Sequence, residues 1–514
     1  MSTPWKSSAT RAQSRSGCTS VDEYAAVVDE NVILANLGPA PAIAATEVAA
    51  AAAASRSVLV VLDDDPTGTQ TVADVYVLTS WAVEDLRWAL HQRVNAFYVL
   101  TNTRSLDPET MERRNREIIA SLGVAAHKDG VGFTIASRSD STLRGHFPRE
   151  TDVLADALNR SGVGPIDGLV VAPAYIDAGR FTIDSVHYMR TPRGLLPVGL
   201  SEFARDPTFG YSSSDLRAYV EEKTLGRWKR NEVVAVTLAD LRSGVDAVTA
   251  LLCSLRHGRP AVVDAVCDED LRVLSLAGMA AEARGVHLLY RVGPSFVRAR
   301  AGLDALPPLS RAELAAVLAS PAARSHGKAD LVGAPRSRYG LVVVGSHVPR
   351  TTRQLSQLKQ LDNVQFVELP VSPLLTGDRD EVIEAALSGL VGATEYGDVV
   401  LCTSRELVGG DDAGASLAIA HAVSAAVVEV VSRLVTAVVP RWIVAKGGIT
   451  SSDLATDALG IRKALVKGTL LPGIVSLWEP IESRVPGVPY VVFAGNVGDD
   501  GALAEVVRRL RGEA

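Results

Sequence analysis

Short apolar runs that end in polar or charged clusters recur along the first three hundred residues. Val58 to Leu62 is one, and it runs into Asp63-Asp64-Asp65-Pro66-Thr67-Gly68. Others lie at 75–78, 96–100, 132–136, 168–172, 232–237 and 260–265. Stretches with apolar positions at helical spacing separate several of them, at 84–93, 108–122 and 147–160. A continuous apolar run reads as a strand buried on both faces, and strands alternating with helices predict a mostly parallel sheet covered on both sides. The alternation fades between 304 and 338, where Pro307-Pro308, Pro321, Gly327, Gly333 and Pro335 flank a short helix at 311–318. It resumes with strands at 339–344, 399–403, 442–445 and 490–494, and helices at 351–361, 413–438 and 451–459. The expected architecture is α/β, with two three-layer α/β domains, mostly parallel sheets and a cleft between them. Residues 1–54 form an N-terminal extension, disordered to about residue 20 and helical beyond. Residues 55–303 form one domain, 304–338 a linker region and 339–514 the second domain.

Composition narrows the class. At 514 residues the chain exceeds what one core supports. Hydrophobic residues at 47% and charged residues at 22% are ordinary for a globular enzyme. A net charge of −7 argues against nucleic acid as a partner and leaves room for local arginine clusters that hold small anions. Cys18, Cys253, Cys267 and Cys402 are scattered without metal-ligand spacing, as expected of free thiols in the cytoplasm. No stretch reads as a membrane span: the alanine-rich segment 42–54 carries Glu47, and the first residues lack an apolar signal core.

The strand ends carry the candidate chemistry. Three carboxylates at 63–65, Thr101 to Arg104, Ser139 to Arg144, and Asp264 with Asp268 each follow an apolar run. In a parallel sheet such ends share one edge, where ligands bind. Arg104 and Arg144 suit a carboxylate, since a guanidinium fork matches its geometry; a surface salt bridge is the plainer alternative for either one alone. The triple aspartate has two chemical readings. Asp63, Asp65 and Thr67 spell the opening motif of haloacid-dehalogenase-type phosphatases, with Asp63 as covalent nucleophile. Asp64 to Gly68 alternatively forms a substrate-binding loop, and a solvated acidic turn is the bland reading. In the second half, Lys446-Gly447-Gly448-Ile449-Thr450, Gly495-Asn496-Val497-Gly498 and Gly345-Ser346 are glycine turns at strand ends, suited to close approach of phosphates. Neither G-x-x-x-x-G-K-[ST] nor a strand-following G-x-G-x-x-G is present, which excludes a P-loop enzyme and disfavours a dinucleotide oxidoreductase.

Taken in order, these stretches resemble the four-carbon acid sugar kinases, which include D-threonate, D-erythronate and 3-oxo-tetronate kinases. The resemblance rests on Asp64 to Gly68 (D-D-x-T-G), Arg138 to Gly145 (K-x-D-S-T-L-R-G) and Pro173-Ala174-Tyr175 with Gly179-Arg180. It continues through Val263 to Leu271, Gly345 to Thr351, Gly447 to Thr450 and Gly495 to Gly498. Arg138 stands where the family has lysine, Val348 where it has serine, and Asp63 makes a triple of the usual pair. The Pro66 position and the long N-terminal extension look like a long-chain subgroup, whose substrate could differ from the tetronates.

The resemblance implies an ATP-dependent kinase acting on a hydroxyl of a small sugar acid, with Mg²⁺ carried mainly by ATP and no metal ligands on the protein. Asp65, and next Asp64, would accept the hydroxyl proton. Arg104 and Arg144 would hold the carboxylate, and Asp64, Asp140 and Ser141 the hydroxyls, with Arg180 also at the substrate. Ser346, Gly447, Gly448, Ile449, Thr450, Gly495, Asn496 and Gly498 would hold the nucleotide. Asp499 and Asp500 would assist a metal from its outer shell or cap a helix. A homodimer is compatible with this picture. The rival classes are the phosphatase through Asp63 and a non-catalytic sugar-acid-binding protein.

Overall fold

The computed structural model describes residues 27–34, 38–319, 334–345, 349–405, 408, 413–495 and 497–513, with 413–417 as backbone only. The expected disorder before residue 20, Cys18, and the linker residues Pro321, Gly327 and Gly333 lie outside the described residues.

The first half contributes β1 (Ser57–Asp63), β2 (Val75–Leu78), β3 (Ala96–Leu100), β4 (Gly132–Arg138), β5 (Gly168–Ala172), β6 (Arg180–Ile183), β7 (Val186–Thr191), β8 (Gly194–Pro197), β9 (Val234–Val236), β10 (Arg259–Val263) and β11 (Leu288–Val292). The second contributes β12 (Leu341–Val344), β13 (Val364–Leu369), β14 (Asp398–Thr403), β15 (Ile443–Lys446), β16 (Lys463–Leu471), β17 (Val475–Glu482) and β18 (Tyr490–Phe493). Strands β6 to β8 form a small antiparallel sheet. The other fifteen form one sheet in the order β13-β14-β12-β15-β18-β17-β16-β2-β3-β1-β4-β11-β5-β10-β9.

Alternation within β1 shows why both faces are covered. Leu59 and Val61 enter one apolar layer, beside the helices Asp268–Ala283 and Pro294–Ala301. Val60 and Leu62 enter the other, beside Val83–His91, Pro108–Asp129 and Arg149–Arg160. The second half repeats this scheme. After β12 the helix Pro349–Leu358 packs on one face with Ala502–Arg511. After β14 the helix Ala413–Ala437 packs on the other. From the N-terminal extension, Ala45–Ala54 packs Val48 and Ala52 against Met279.

The two halves share one sheet, joined by antiparallel strands. β16 and β17 pair as an antiparallel hairpin; β16 also pairs with β2, and β17 with β18. The strands of the two parallel halves therefore run in opposite senses along the sheet. Six strand-to-strand steps separate β1 from β15. At roughly 20–25° of twist per step, the sheet turns through roughly 120–150° over that distance. This rotation brings the carboxyl ends of both parallel sets toward the same side, where their loops meet.

The turn Pro66–Thr71 after β1 reaches across to the hairpin. Trp478 Nε1 donates to Thr69 Oγ1 at 2.9 Å, and the Thr69 and Ser476 hydroxyls share a bond of 3.0 Å. The small sheet is anchored by His187, which bonds Thr182 Oγ1 at 2.9 Å and the Ser141 carbonyl at 2.8 Å.

One expectation about apolar spans is corrected. Ala418–Ala437, twenty residues at mean hydropathy 1.6, is long and apolar enough to cross a membrane by length and composition. Here its Ala426, Val430, Val431, Leu434 and Val435 are fully buried in the core, and 39% of its apolar window is buried in all.

Candidate functional site

Parallel register aligns the strand ends that carry the polar clusters. Asp63 lies opposite Leu100 of β3 and Arg138 of β4, and Arg138 opposite Val292 of β11. In the other half, Lys446 lies opposite Val344 and Phe493. The loops that follow both rows enclose a cavity of about 760 Å³. Asp65, Arg104, Asp140, Ser141, Arg144 and Arg180 line it from the first half, and Arg350, Gly448 and Gly495 from the second.

The three adjacent aspartates part company. Asp63 is buried and ion-paired with Arg138, whose guanidinium also donates to the Asp65 carbonyl. A Cβ on Gly68 would overlap both the Asp63 carboxylate and the Arg138 guanidinium, so only glycine fits there. Burial, outweighing Arg138, pushes the Asp63 carboxyl up to about 7. Sealed in this way, Asp63 lacks the approach that a phosphatase nucleophile requires.

Asp64 is 2% exposed, and among the described residues neither carboxylate oxygen has a hydrogen-bond partner. Arg138 lies 3.4 Å and Arg104 3.9 Å away. Burial raises its proton affinity. Asp64 does not line the cavity, unlike Asp65; it stands behind Arg104 and Arg138.

Asp65 does face the cavity. It caps the Pro66–Thr71 turn by accepting from Thr67 N at 2.9 Å, and it is ion-paired with Arg104. Burial opposes its ionisation, but Arg104, Arg138 and the Thr67 hydrogen bonds outweigh burial and hold the carboxyl below its ordinary value. A Cβ built on Gly448 would lie 2.9 Å from Asp65 Oδ2. The carboxylate from one half thus touches the glycine turn of the other.

Asp140 links the arginines. Arg144 Nε donates to it at 2.6 Å, and Arg104 lies 3.6 Å away. Together with Thr142 they overcome burial and keep its carboxyl well below the usual range. Arg144 also rests over the Phe203 ring at 4.9 Å. Arg180 differs from both: among the described residues no carboxylate lies within ion-pair distance of it. It sits 6.0 Å from the Tyr175 ring centre and donates from Nη1 to the Ala178 carbonyl at 2.9 Å, while among the described residues its buried Nε has no partner.

On the other wall Gly447 adopts φ 126°, a conformation open to glycine, and donates to the Phe493 carbonyl at 2.8 Å. Lys446 is fully buried, donates to the Ala494 carbonyl at 2.6 Å and lies 3.8 Å from the Phe493 ring centre. Burial pushes its ammonium down to about 7. Thr351 Oγ1 donates to the Gly495 carbonyl at 3.1 Å and ties that loop to the helix Pro349–Leu358. A second, apolar slot of about 260 Å³ adjoins the turn, with Ile449 and Thr450 in its wall. Gly498, at φ 78°, packs against Ala502 and does not line the cavity.

Two known domains match the chain along these same halves. A family model of a sugar-binding N-terminal domain matches residues 59–300, and one of a nucleotide-binding C-terminal domain matches residues 341–503. The chain belongs to the four-carbon acid sugar kinase family. As a member of that family it joins a sugar-binding to a nucleotide-binding domain, which fits small-molecule ligands and a kinase-like role in sugar-acid chemistry.

Two solved structures share the fold of this family member. A Salmonella typhimurium LT2 protein provisionally described as a tRNA synthase is 18% identical with a TM-score of 0.58. A Haemophilus influenzae protein of the DUF1537 family is 17% identical with a TM-score of 0.53. Each alignment covers 87% of this chain and 98% of the other. No curated protein matches the sequence.

The cavity of this kinase-family member thus gathers Asp65, Arg104, Asp140, Ser141, Arg144, Arg180, Gly448 and Gly495 of the sequence-derived set. Ile449 and Thr450 border the apolar slot, and Ser346 and Asn496 lie outside the described residues. Asp264 and Asp268 belong to the framework: Asp264 accepts from the backbone of Asp184 and Ser185 at 2.9 and 2.8 Å, and Asp268 pairs with Arg298 at 2.8 Å. Sequence reasoning missed Phe203, which arrives from a turn with no motif. It also gave Lys446 no role, although a lysine closing an apolar strand before two glycines is itself a signal.

Proposed function

We propose that this protein transfers the terminal phosphoryl group of ATP to a hydroxyl of a small, tetronate-like sugar acid. The observation that carries the reading is the contact of Asp65 with the Gly448 turn across a cavity lined by both domains. Phosphoryl transfer needs a positioned hydroxyl, a proton acceptor and neutralised phosphate charge. Asp65, held ionised, accepts the hydroxyl proton. Arg180, the guanidinium without a carboxylate partner, takes the acid's carboxylate, and Arg144 lies beside it on the same wall. Asp140 and Ser141 face the hydroxyls. The turns at Gly447–Thr450 and Gly495 receive the phosphates.

Mg²⁺ fits as an ion carried by the nucleotide. Among the described residues no group of three or more His, Cys, Asp or Glu could hold a metal, and the nearest carboxylates are engaged by arginines. The ion would take phosphate oxygens and water as ligands and neutralise phosphate charge.

Release of ADP from Mg-ATP across a panel of four- to six-carbon sugar acids tests the reading. Turnover with one acid is expected. Asp65→Asn is expected to lower kcat by about 10²–10⁴-fold while sugar-acid binding changes little. Near wild-type turnover in that variant would remove Asp65 from this role, and silence across the panel without ATP binding would overturn the kinase assignment.

A further inference from the structure

The apolar slot beside the glycine turn lies where the topology of the second domain reverses. β12 and β14 are neighbours, and the helices that follow them pack on opposite faces of the sheet. Such a switch point opens a crevice outside the carboxyl ends of the strands, and ligands bind there in open α/β sheets. The slot follows that crevice. Gly345 closes β12 in its wall, Val371 follows β13 and Val408 follows β14. Ile419, Val423 and Val427 of the long helix form the opposite side. At about 260 Å³, flanked by apolar side chains, it suits a flat heteroaromatic ring.

Three polar side chains interrupt this lining: Thr450, Ser424 and Asp453. Thr450 belongs to the glycine turn, and a Cβ on Gly345 would press against its hydroxyl, so slot and turn are continuous. Ser424 Oγ donates to Asp453 Oδ2 at the other end. Asp453 closes the helix Gly448–Asp453 that starts in the turn. At 1.5 Å per residue the two ends of that helix are about 8 Å apart, comparable with the length of a nucleoside.

We propose that Asp453, oriented by Ser424, accepts a hydrogen bond from the exocyclic amino group of adenine and so selects ATP among nucleoside triphosphates. The proposal rests on the nucleotide assignment above and adds a base-reading residue to it. Adenine presents one exocyclic amino donor beside a ring acceptor, whereas guanine presents paired N1–H and N2–H donors to a carboxylate. With one Asp453 oxygen engaged by Ser424, a single acceptor remains, which matches adenine. Inosine, with a 6-oxo group in place of the amine, would set two acceptors against each other.

Calorimetric titration of the full chain with ADP, IDP and GDP, without sugar acid, tests this. ADP is expected to bind at least about tenfold more tightly than IDP or GDP. Asp453→Ala is expected to remove that preference by weakening ADP about tenfold while leaving IDP nearly unchanged. In Asp453→Asn the amide can donate to the 6-oxo group, so IDP gains on ADP. Ser424→Ala frees the second carboxylate oxygen, so GDP gains on ADP; this variant keeps the test open if both Asp453 variants fail to fold. Equal affinity of the wild type for ADP and IDP would overturn the proposal and leave the nucleotide domain intact. An Asp453→Ala variant that weakens ADP and IDP equally would reduce the residue to a structural part. Failure to bind any of the three would overturn the nucleotide assignment with it.

Discussion

Asp64 and Asp65 share one peptide bond but have opposite proton affinities. Burial dominates at Asp64, and cations with hydrogen bonds dominate at Asp65. Only the second faces the cavity, so exposure and charge together single out Asp65 as the acceptor in the proposed reaction. The same contest produces a pH effect away from the cavity. Glu150 is 1% exposed, and burial, only partly offset by Arg291 at 3.7 Å, pushes its carboxyl up from 4.5 to about 7. Between about pH 4.5 and 7 the folded chain keeps a proton that the unfolded chain has released. Stability therefore falls as pH rises through that window. Urea midpoints at pH 5 and pH 7.5 should show a smaller loss for Glu150→Gln than for the wild type; an identical loss would mean that Glu150 titrates normally. At this scale much was legible in sequence: Arg104 stands out by its strand-end position, Asp140, Ser141, Arg144 and Arg180 by motif spacing, and all five reach the cavity. What could not be read was which of three consecutive aspartates faces the cavity, since that depends on Arg104 and Arg138, far along the chain.

Elements buried on both faces announce themselves as apolar runs, which is why β1, β3, β5, β10, β12, β14, β15 and β18 were foreseen. The hairpin β16–β17 was not, because Lys463, Lys467, Glu479 and Glu482 break up its apolar residues, although Pro472-Gly473 between the strands is itself a turn signal. Nor was the small sheet β6–β8, which is short and is anchored by His187 and the Asp264 carboxylate beside the buried Phe181, Ile183 and Leu195. The unforeseen hairpin holds the turn that carries Asp65. Trp478 is fully buried, and its indole N–H is the donor to Thr69. Trp478→Phe is expected to cost about 1–3 kcal/mol of stability, through a lost hydrogen bond and a small void. It should also lower kcat/KM, because the Pro66–Thr71 turn loses a fixed point. Chemical denaturation read beside steady-state kinetics measures both; unchanged kinetics would show that the turn holds its geometry without the indole.

As a whole, the molecule is two domains on one sheet. Pairing of β2 with β16 passes the hydrogen-bond ladder from one parallel set to the other, so relative motion of the halves must twist strands rather than swing on a loose connection. Scanning calorimetry should accordingly give one dominant transition in the ligand-free chain. Two well-separated transitions would mean that the ladder across β2 and β16 contributes little coupling. No local pattern could have revealed this pairing, since periodicity reports which face of a strand is buried and not which distant strand lies beside it.

The β2–β16 pairing also sets a timetable for the newborn chain. About 390 residues separate the paired segments, and at about 5–20 residues per second a ribosome needs about 20–80 seconds to cover them. Throughout that interval the half that emerges first carries β2 as an unsatisfied border, open to pairing with another nascent chain. Slower translation lengthens the exposure, and an arrest before β16 makes it permanent, so yield in the cell should follow elongation speed and chaperone supply more closely than the stability of the finished protein would suggest.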